Sequence, residues 1–158
     1  MTNPIIAIAV FDNKKIKGIV KFTEDIKDDS VIIDIDIKGL KKSALHGFHV
    51  HEYGDMSDTC NSMCAHFNPY NKVHGGADSR IRHVGDLGNL ITDVDGCANY
   101  RTRDHIIRLR GTKANIIGRG LIIHEDEDDC GKGNSENSLT TGNSGKRIAC
   151  AVIGYAGK

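Results

Sequence analysis

The sequence predicts an all-β fold, a β-sandwich or barrel of about eight short antiparallel strands with two long loops. Short apolar segments recur between turn residues, and no segment has the periodicity of an amphipathic helix. Two stretches rich in Gly, Asn and Ser interrupt the strands. The 158 residues have the size of one domain, which we predict to span residues 1–158.

The first third of the chain predicts β structure. An apolar segment over residues 5–10 precedes a turn over residues 12–15. Residues 31–38 then alternate between apolar side chains and a mostly charged face, which is typical of a half-buried antiparallel strand. A short strand follows over residues 48–51.

Later segments predict the remaining strands. Residues 90–100 resemble a hairpin around Asp95-Gly96, a strong two-residue turn signal. Residues 106–109 and 115–124 predict further strands, and the apolar segment 148–155 predicts the last one.

The two loops are expected over residues 53–88 and 126–146. The first has no apolar periodicity and is rich in Gly, Asn, Asp and His. A stretch of this length without regular structure is uncommon in a domain and is usually functional. Something other than a hydrophobic face must hold it, and metal ligation would do so.

Composition narrows the class of protein. Lys plus Arg and Asp plus Glu number 21 each, so no basic surplus favours nucleic acid or an anionic membrane. The first residues lack the pattern of a signal peptide, so we expect a cytoplasmic protein. An unrecognised export route and packaging into a larger particle are the alternatives. The five cysteines are an odd number, for which free thiols are the simplest interpretation.

Six histidines and one aspartate suggest metal binding. His49 and His51 are two residues apart on a strand, so both rings leave the same face. The first loop and its end contribute His66, His74, His83 and Asp86, and His124 ends a later strand. Three His and one Asp suit a closed tetrahedral zinc site, and four His suit copper(II). These seven residues fill eight ligand positions only if one imidazole bridges two cations.

Five segments strongly resemble the copper/zinc superoxide dismutase family, in an order and spacing that cover nearly the whole chain. They are Gly47 to His51, His66 to Pro69, His74 to Gly76, Arg82 to Asn89 and Gly142 to Cys150. The resemblance implies a Greek-key β-sandwich, or flattened barrel, with one copper and one zinc ion in each subunit. It also implies dismutation of superoxide to oxygen and hydrogen peroxide.

The resemblance assigns roles to particular residues. It implies copper on His49, His51, His66 and His124, and zinc on His66, His74, His83 and Asp86. Arg147 and His66 would be the catalytic residues: Arg147 docks superoxide, and the bridging His66 passes a proton to the peroxide. Asp128 would link a copper histidine to a zinc histidine, and Cys60 and Cys150 would form a disulfide.

The resemblance also implies partners. Relatives commonly form homodimers through the region that corresponds to residues 152–155, and a copper chaperone is an expected partner. The alternative functions are a non-catalytic copper/zinc-binding protein on the same scaffold, and a copper-chaperone or partner-binding relative without the chemistry. The complete ligand set, Asp128 and Arg147 favour the enzyme.

This chain departs from the family near the predicted substrate channel. Residues 125–129 are five consecutive carboxylates, and Asp126 and Thr140 stand where lysine is common, although Lys132 is retained. We therefore expect weaker electrostatic steering of superoxide than in lysine-rich relatives. Cys64 lies four residues after Cys60 and is a competitor for disulfide exchange.

Overall fold

The computed structural model describes residues 2–157, so Met1 and Lys158, the ends of the predicted domain, lie outside the described residues. Within residues 2–157, nine strands form two antiparallel sheets. The strands are β1 (Ile6–Asp12), β2 (Lys17–Asp25), β3 (Ser30–Lys38), β4 (Leu45–His51), β5 (Asp86–Ile91), β6 (Ala98–Asp104), β7 (Gly120–His124), β8 (Arg147–Val152) and β9 (Gly154–Tyr155). Two short 3₁₀ turns, Asn61–Met63 and Glu136–Leu139, lie in the two long loops.

The strand order shows how the chain crosses between the sheets. One sheet has the order β6-β3-β2-β1-β9, and the other has the order β5-β4-β7-β8. The chain leaves the first sheet after β3, returns for β6 and leaves again for β7, as in a Greek key. The predicted all-β sandwich with two long loops is confirmed, and no helix in residues 2–157 is long and apolar enough to span a membrane.

Three predicted strand assignments are wrong. Residues 90–100 are not a hairpin, because β5 pairs with β4 in one sheet and β6 pairs with β3 in the other. Residues 106–109 form only an isolated bridge between Arg108 and Asn115, since Arg108 and the residues after it turn through a loop. The last apolar segment divides into β8 and β9, which belong to different sheets.

The core fills the space between the sheets. The alternation of β3 turns Val31, Ile33, Ile35 and Ile37 inward, where each is at most 3% exposed. On β4, Phe48 and Val50 face this core, and the alternating residues His49 and His51 therefore face the opposite side of the sheet. The hydrophobic core thus fixes one face of β4 and leaves the other for polar side chains.

The first long loop is anchored to β4 and to the opposite sheet. Val50 N–H donates to Gly85 O, Phe67 N–H donates to Val50 O, and Gly85 N–H donates to Phe67 O, at 2.8 to 2.9 Å. Buried Arg82 forms an ion pair with Asp104 of β6 at 2.7 Å. The predicted Cys60–Cys150 disulfide is present and attaches the loop to β8. Backbone hydrogen bonds, one ion pair and one disulfide thus anchor this loop, which has no continuous hydrophobic face.

Candidate metal centre

Two neighbouring strands bring together three of the predicted copper ligands. His49 and His51 project from the same face of β4, and His124 ends β7, which pairs with β4 so that His49 lies opposite Ile122. All three side chains are buried, although they face away from the apolar core. The long loops cover this face of the sheet and shield the rings from solvent.

The first loop delivers the other predicted ligands. His66 forms an isolated bridge with His51, which sets its backbone beside β4. His74 and His83 lie farther along the loop, and Asp86 is the first residue of β5. All four side chains are buried. The structure therefore brings together every residue that the sequence singled out as a ligand.

These seven residues form two groups that share one imidazole. In each group the candidate ligand atoms all lie within 4.8 Å of one another. One group is His49, His51, His66 and His124, and the other is His66, His74, His83 and Asp86. The shared ring of His66 lies 4.0 Å from the ring of His49 and 5.3 Å from that of His83, measured between centroids.

In the first group, each of three rings has one nitrogen bonded and one left without a partner. His49 Nε2 lies 2.5 Å from Asp128 Oδ2, His51 Nδ1 is 2.8 Å from Cys64 O, and His124 Nδ1 is 3.1 Å from Gly145 O. The other nitrogens, His49 Nδ1, His51 Nε2 and His124 Nε2, are buried without a hydrogen-bond partner. Buried polar atoms without partners are costly, so their convergence on one point fits a cation there.

The second group is built around one carboxylate oxygen. Asp86 Oδ1 lies 3.0 Å from His66 Nδ1, 3.0 Å from His74 Nδ1 and 3.2 Å from His83 Nδ1. The second oxygen of Asp86 accepts hydrogen bonds from the backbone N–H groups of Gly75 and His83. Three imidazole nitrogens and one oriented carboxylate oxygen match the donor set of a tetrahedral zinc site.

Asp128 connects the two groups. Its Oδ2 contacts His49 Nε2, and its Oδ1 lies 2.7 Å from His74 Nε2, so one carboxylate orients one ring of each group. Such partners fix the tautomer of a ligand histidine. Asn89 holds Asp128 in turn, since its side-chain oxygen accepts from Asp128 N–H at 2.7 Å and its amide donates to Asp128 O at 3.0 Å.

Two supporting residues were not assigned a role from sequence. Asn89 belongs to one of the family segments, but its position on β5 carries no signal for its contact with Asp128. His46, buried on β4, has its Nδ1 2.8 Å from the carbonyl oxygen of His124. Only the fold reveals this contact, because residues 46 and 124 are brought together by the pairing of β4 with β7.

Burial and charge act on the histidines in opposite directions. Desolvation lowers the pKa of His49 and His51 well below the usual value and lowers that of His124 to about 4. Burial also opposes protonation of His74, but hydrogen bonds to Asp128 and Asp86 outweigh it and raise its pKa to about 9. The first group is therefore a set of neutral imidazoles, ready to donate lone pairs.

Aspartate and histidine stabilise each other in the second group. Burial alone would raise the pKa of Asp86, but hydrogen bonds from His66, His74 and His83 lower it below its ordinary value. The carboxylate therefore stays ionised, as a metal ligand must.

A cavity of about 490 Å³ leads from the surface to the first group. His51, His66, His124 and Arg147 line it together with the second loop, including the predicted position Thr140. The carboxylates of residues 125–127 line a different groove, beside Lys41. The Asp126 carboxylate also lies beside Gly145, which lines the channel, so the acidic run borders the channel wall.

Arg147 is the charged side chain at the wall of this cavity. It begins β8, and its guanidinium donates from Nη1 to Cys60 O at 2.8 Å and from Nη2 to Cys64 O. Desolvation lowers the pKa of Arg147 from its usual value, and this group nevertheless stays cationic. The structure therefore places a fixed positive charge beside the copper-type group.

Comparisons with known proteins identify relatives that all belong to one family. The family model described as copper/zinc superoxide dismutase matches residues 16–153. The chain is 56% identical to the superoxide dismutase [Cu-Zn] of Paramecium bursaria Chlorella virus 1, over 99% of this chain and 81% of the viral protein. It is 47% identical to the superoxide dismutase [Cu-Zn] of Yarrowia lipolytica, over 94% of this chain and 96% of the yeast protein.

Two further comparisons bear on compartment and fold. An extracellular superoxide dismutase [Cu-Zn] of Drosophila melanogaster is 48% identical, over 96% of this chain and 86% of the fly protein. A crystal structure of the clock protein EA4 superposes with a TM-score of 0.93 at 43% identity and covers 99% of this chain and 98% of that one.

Proposed function

The chain belongs to the copper/zinc superoxide dismutase family, and on this basis we propose which residues bind each metal and which act on the substrate. The protein dismutates superoxide to oxygen and hydrogen peroxide, with copper and zinc as cofactors. His49, His51, His66 and His124 hold copper, and His66, His74, His83 and Asp86 hold zinc. His66 is the shared ligand.

One observation carries this assignment. Three buried ring nitrogens, on His49, His51 and His124, have no hydrogen-bond partner and belong to one cluster of ligand atoms. A cation at that point would satisfy all three at once, whereas a purely structural cluster would leave each uncompensated. This cluster shares the ring of His66 with the second group of ligands, as two adjacent metal sites with a common ligand require.

When bound, copper supplies the one-electron oxidation and reduction that the reaction needs. Two superoxide anions and two protons become one oxygen and one hydrogen peroxide. The protein must therefore attract an anion, orient it and deliver protons. Arg147 performs the first two tasks as a fixed cation in the channel wall, held in place by the carbonyls of Cys60 and Cys64.

His66 is suited to proton delivery. Its Nδ1 is engaged by Asp86 and His83, at 3.0 and 3.3 Å, on the zinc side. Its Nε2 is therefore the nitrogen that takes up and releases a proton toward the channel. Because Asp86 fixes the ring orientation, the proton is presented at one atom in one direction.

The remaining proposals concern organisation. Residues 1–158 form one domain, which is supported by the single core between the two sheets.

The chain forms a homodimer, which is supported by exposed apolar side chains around β1 and the chain end, namely Val10, Met56, Val152 and Tyr155. Val10, Met56 and Val152 line one groove, and Val152→Asp should shift a dimer to a monomer in sedimentation equilibrium. Cytoplasmic residence and copper delivery by a chaperone stay predictions.

The metal assignment is tested with His124→Ala and the matched control His105→Ala, whose side chain is exposed and outside both groups. Both proteins are loaded with copper and zinc, analysed for metal content and assayed for superoxide loss. We expect His124→Ala to lose most bound copper and activity while it retains zinc, and His105→Ala to behave as wild type. Dismutase activity that survives His124→Ala would rule out the proposed copper site.

A further inference from the structure

A disulfide and a free thiol lie at the two ends of one short turn. Cys60 immediately precedes the 3₁₀ turn Asn61–Met63 and is bonded to Cys150 of β8. Cys64 immediately follows the same turn, and its thiol is free and exposed. The segment thus presents a nucleophilic sulfur and an existing disulfide four residues apart.

Arg147 holds both ends of this turn together. Its Nη1 donates to Cys60 O and its Nη2 donates to Cys64 O. Because both nitrogens are attached to the same carbon, the two carbonyls must lie side by side. The turn is also closed by hydrogen bonds from Met63 N–H to Cys60 O and from Cys64 N–H to Asn61 O. The backbones of the two cysteines are therefore held close together by the turn and by Arg147.

The sulfur of Cys64 is exposed and belongs to no disulfide. Its one hydrogen bond within the described residues is a weak contact from Sγ to Ser62 O at 3.6 Å. The backbone of Cys64 has φ 61° and ψ −138°, a region that favours glycine. This conformation is maintained by the bonds that its carbonyl accepts from His51 and Arg147. The turn is thus held by its partners rather than by local preference.

We propose that Cys64 exchanges with the Cys60–Cys150 disulfide and forms a second disulfide isomer, Cys60–Cys64. The Cys64 thiolate attacks Cys60 Sγ, the Cys60–Cys64 bond forms, and the Cys60–Cys150 bond breaks. Cys150 leaves as a thiolate and takes up the proton that Cys64 released. One disulfide and one thiol exist before and after, so the step needs no oxidant or reductant.

The new bond would change the site through Arg147. Closing a ring between residues 60 and 64 moves at least one of the two carbonyls that hold the guanidinium, and it also frees the first long loop from β8. The isomer therefore loses both the anchor of the loop and the fixed position of the cation. This effect on activity rests on the proposed function of Arg147, whereas the exchange itself does not.

The exchange is tested by peptide mapping of the full-length, metal-loaded protein. Wild type is incubated at mildly alkaline pH without reductant, quenched, alkylated and digested under non-reducing conditions for mass spectrometry. In wild type we expect a Cys60–Cys64 peptide, which Cys64→Gly cannot form. We also expect alkylated Cys150 at a level roughly tenfold above that in Cys64→Gly. Glycine suits the positive φ of this position, so this variant should fold. Cys64→Ser provides a second variant without the thiol.

Cys97→Ser is the matched control, because Cys97 is a free cysteine between β5 and β6. We expect it to form the isomer as wild type does. Wild type in which Cys64 is fully alkylated and Cys150 stays fully blocked would overturn the proposal. Equal Cys150 alkylation in wild type and Cys64→Gly would also overturn it. Isomer that forms without loss of dismutase activity would instead contradict the proposed role of Arg147.

Discussion

Asn89 holds Asp128 through two hydrogen bonds, one to its backbone N–H at 2.7 Å and one to its carbonyl oxygen at 3.0 Å. Asp128 in turn contacts His49 and His74, one ring from each ligand group. A neutral amide on β5 thereby sets the position of a carboxylate that serves both metal sites. The positions of the ligand rings in the proposed centre therefore depend on this relay of hydrogen bonds from Asn89 through Asp128, as well as on the ligands themselves.

We expect Asn89→Ala to weaken metal retention without removing a ligand. Loss of both hydrogen bonds lets the backbone at Asp128 shift, so His49 and His74 lose a fixed orientation. Changes in such supporting groups typically reduce metal affinity by about 10- to 100-fold. Competition with a chelator, followed by metal analysis, measures this loss. Asn99→Ala is the control, since Asn99 is exposed on β6; equal retention by both variants would contradict the relay.

Removal of both metals should loosen the first long loop more than the sheets. In the loop over residues 53–85, three large apolar side chains are buried, namely Met63, Phe67 and Val84, and the ligands His66, His74 and His83 are proposed to hold the rest. Ligands that bind only the folded state stabilise it, by about 4 kcal/mol at a thousandfold excess over the dissociation constant. Hydrogen exchange should therefore rise strongly at residues 66–83 and little in β2. A uniform increase across the chain would argue against loop anchoring by metal.

The metal-free protein should lose stability as the pH falls. Burial lowers the pKa of His124 to about 4 from its ordinary 6.5, so the unfolded chain binds a proton in this interval and the folded protein does not. The contribution of His124 is complete above pH 6.5 and declines as the pH falls toward 4. The decrease in the free energy of unfolding due to His124 should amount to about 2 kcal/mol between pH 7 and about pH 5.

Urea unfolding with a chelator present measures this effect. His124→Asn should show a smaller decrease in the free energy of unfolding between the two pH values than wild type. His105→Asn, which changes an exposed histidine, should retain the decrease seen in wild type. If His124→Asn and wild type lose the same free energy, His124 is not the neutral buried group described above.

Sequence patterns predict the fold class and the candidate metal ligands. They do not predict how the supporting residues are arranged around those ligands. The alternation of β3 predicted a half-buried strand, because burial on one face is a local property of a strand. Asp95-Gly96 correctly marks a turn, yet the flanking strands join different sheets, since pairing of β6 with β3 is a long-range choice. The same limit applies to Asn89 and His46, whose roles depend on contacts with residues far along the chain.

Charge at the channel should control how the rate responds to salt. Arg147 and Thr140 both line the channel, and Thr140 adds no charge there, so we expect the wild-type rate to fall only slightly with ionic strength. Thr140→Lys should raise the rate at low salt by roughly twofold or more and make its loss with salt steeper. Thr112→Lys adds the same charge to an exposed loop away from the channel and should change neither. Pulse radiolysis across a salt series measures both quantities. A steep salt dependence in wild type would show that other cations steer the substrate.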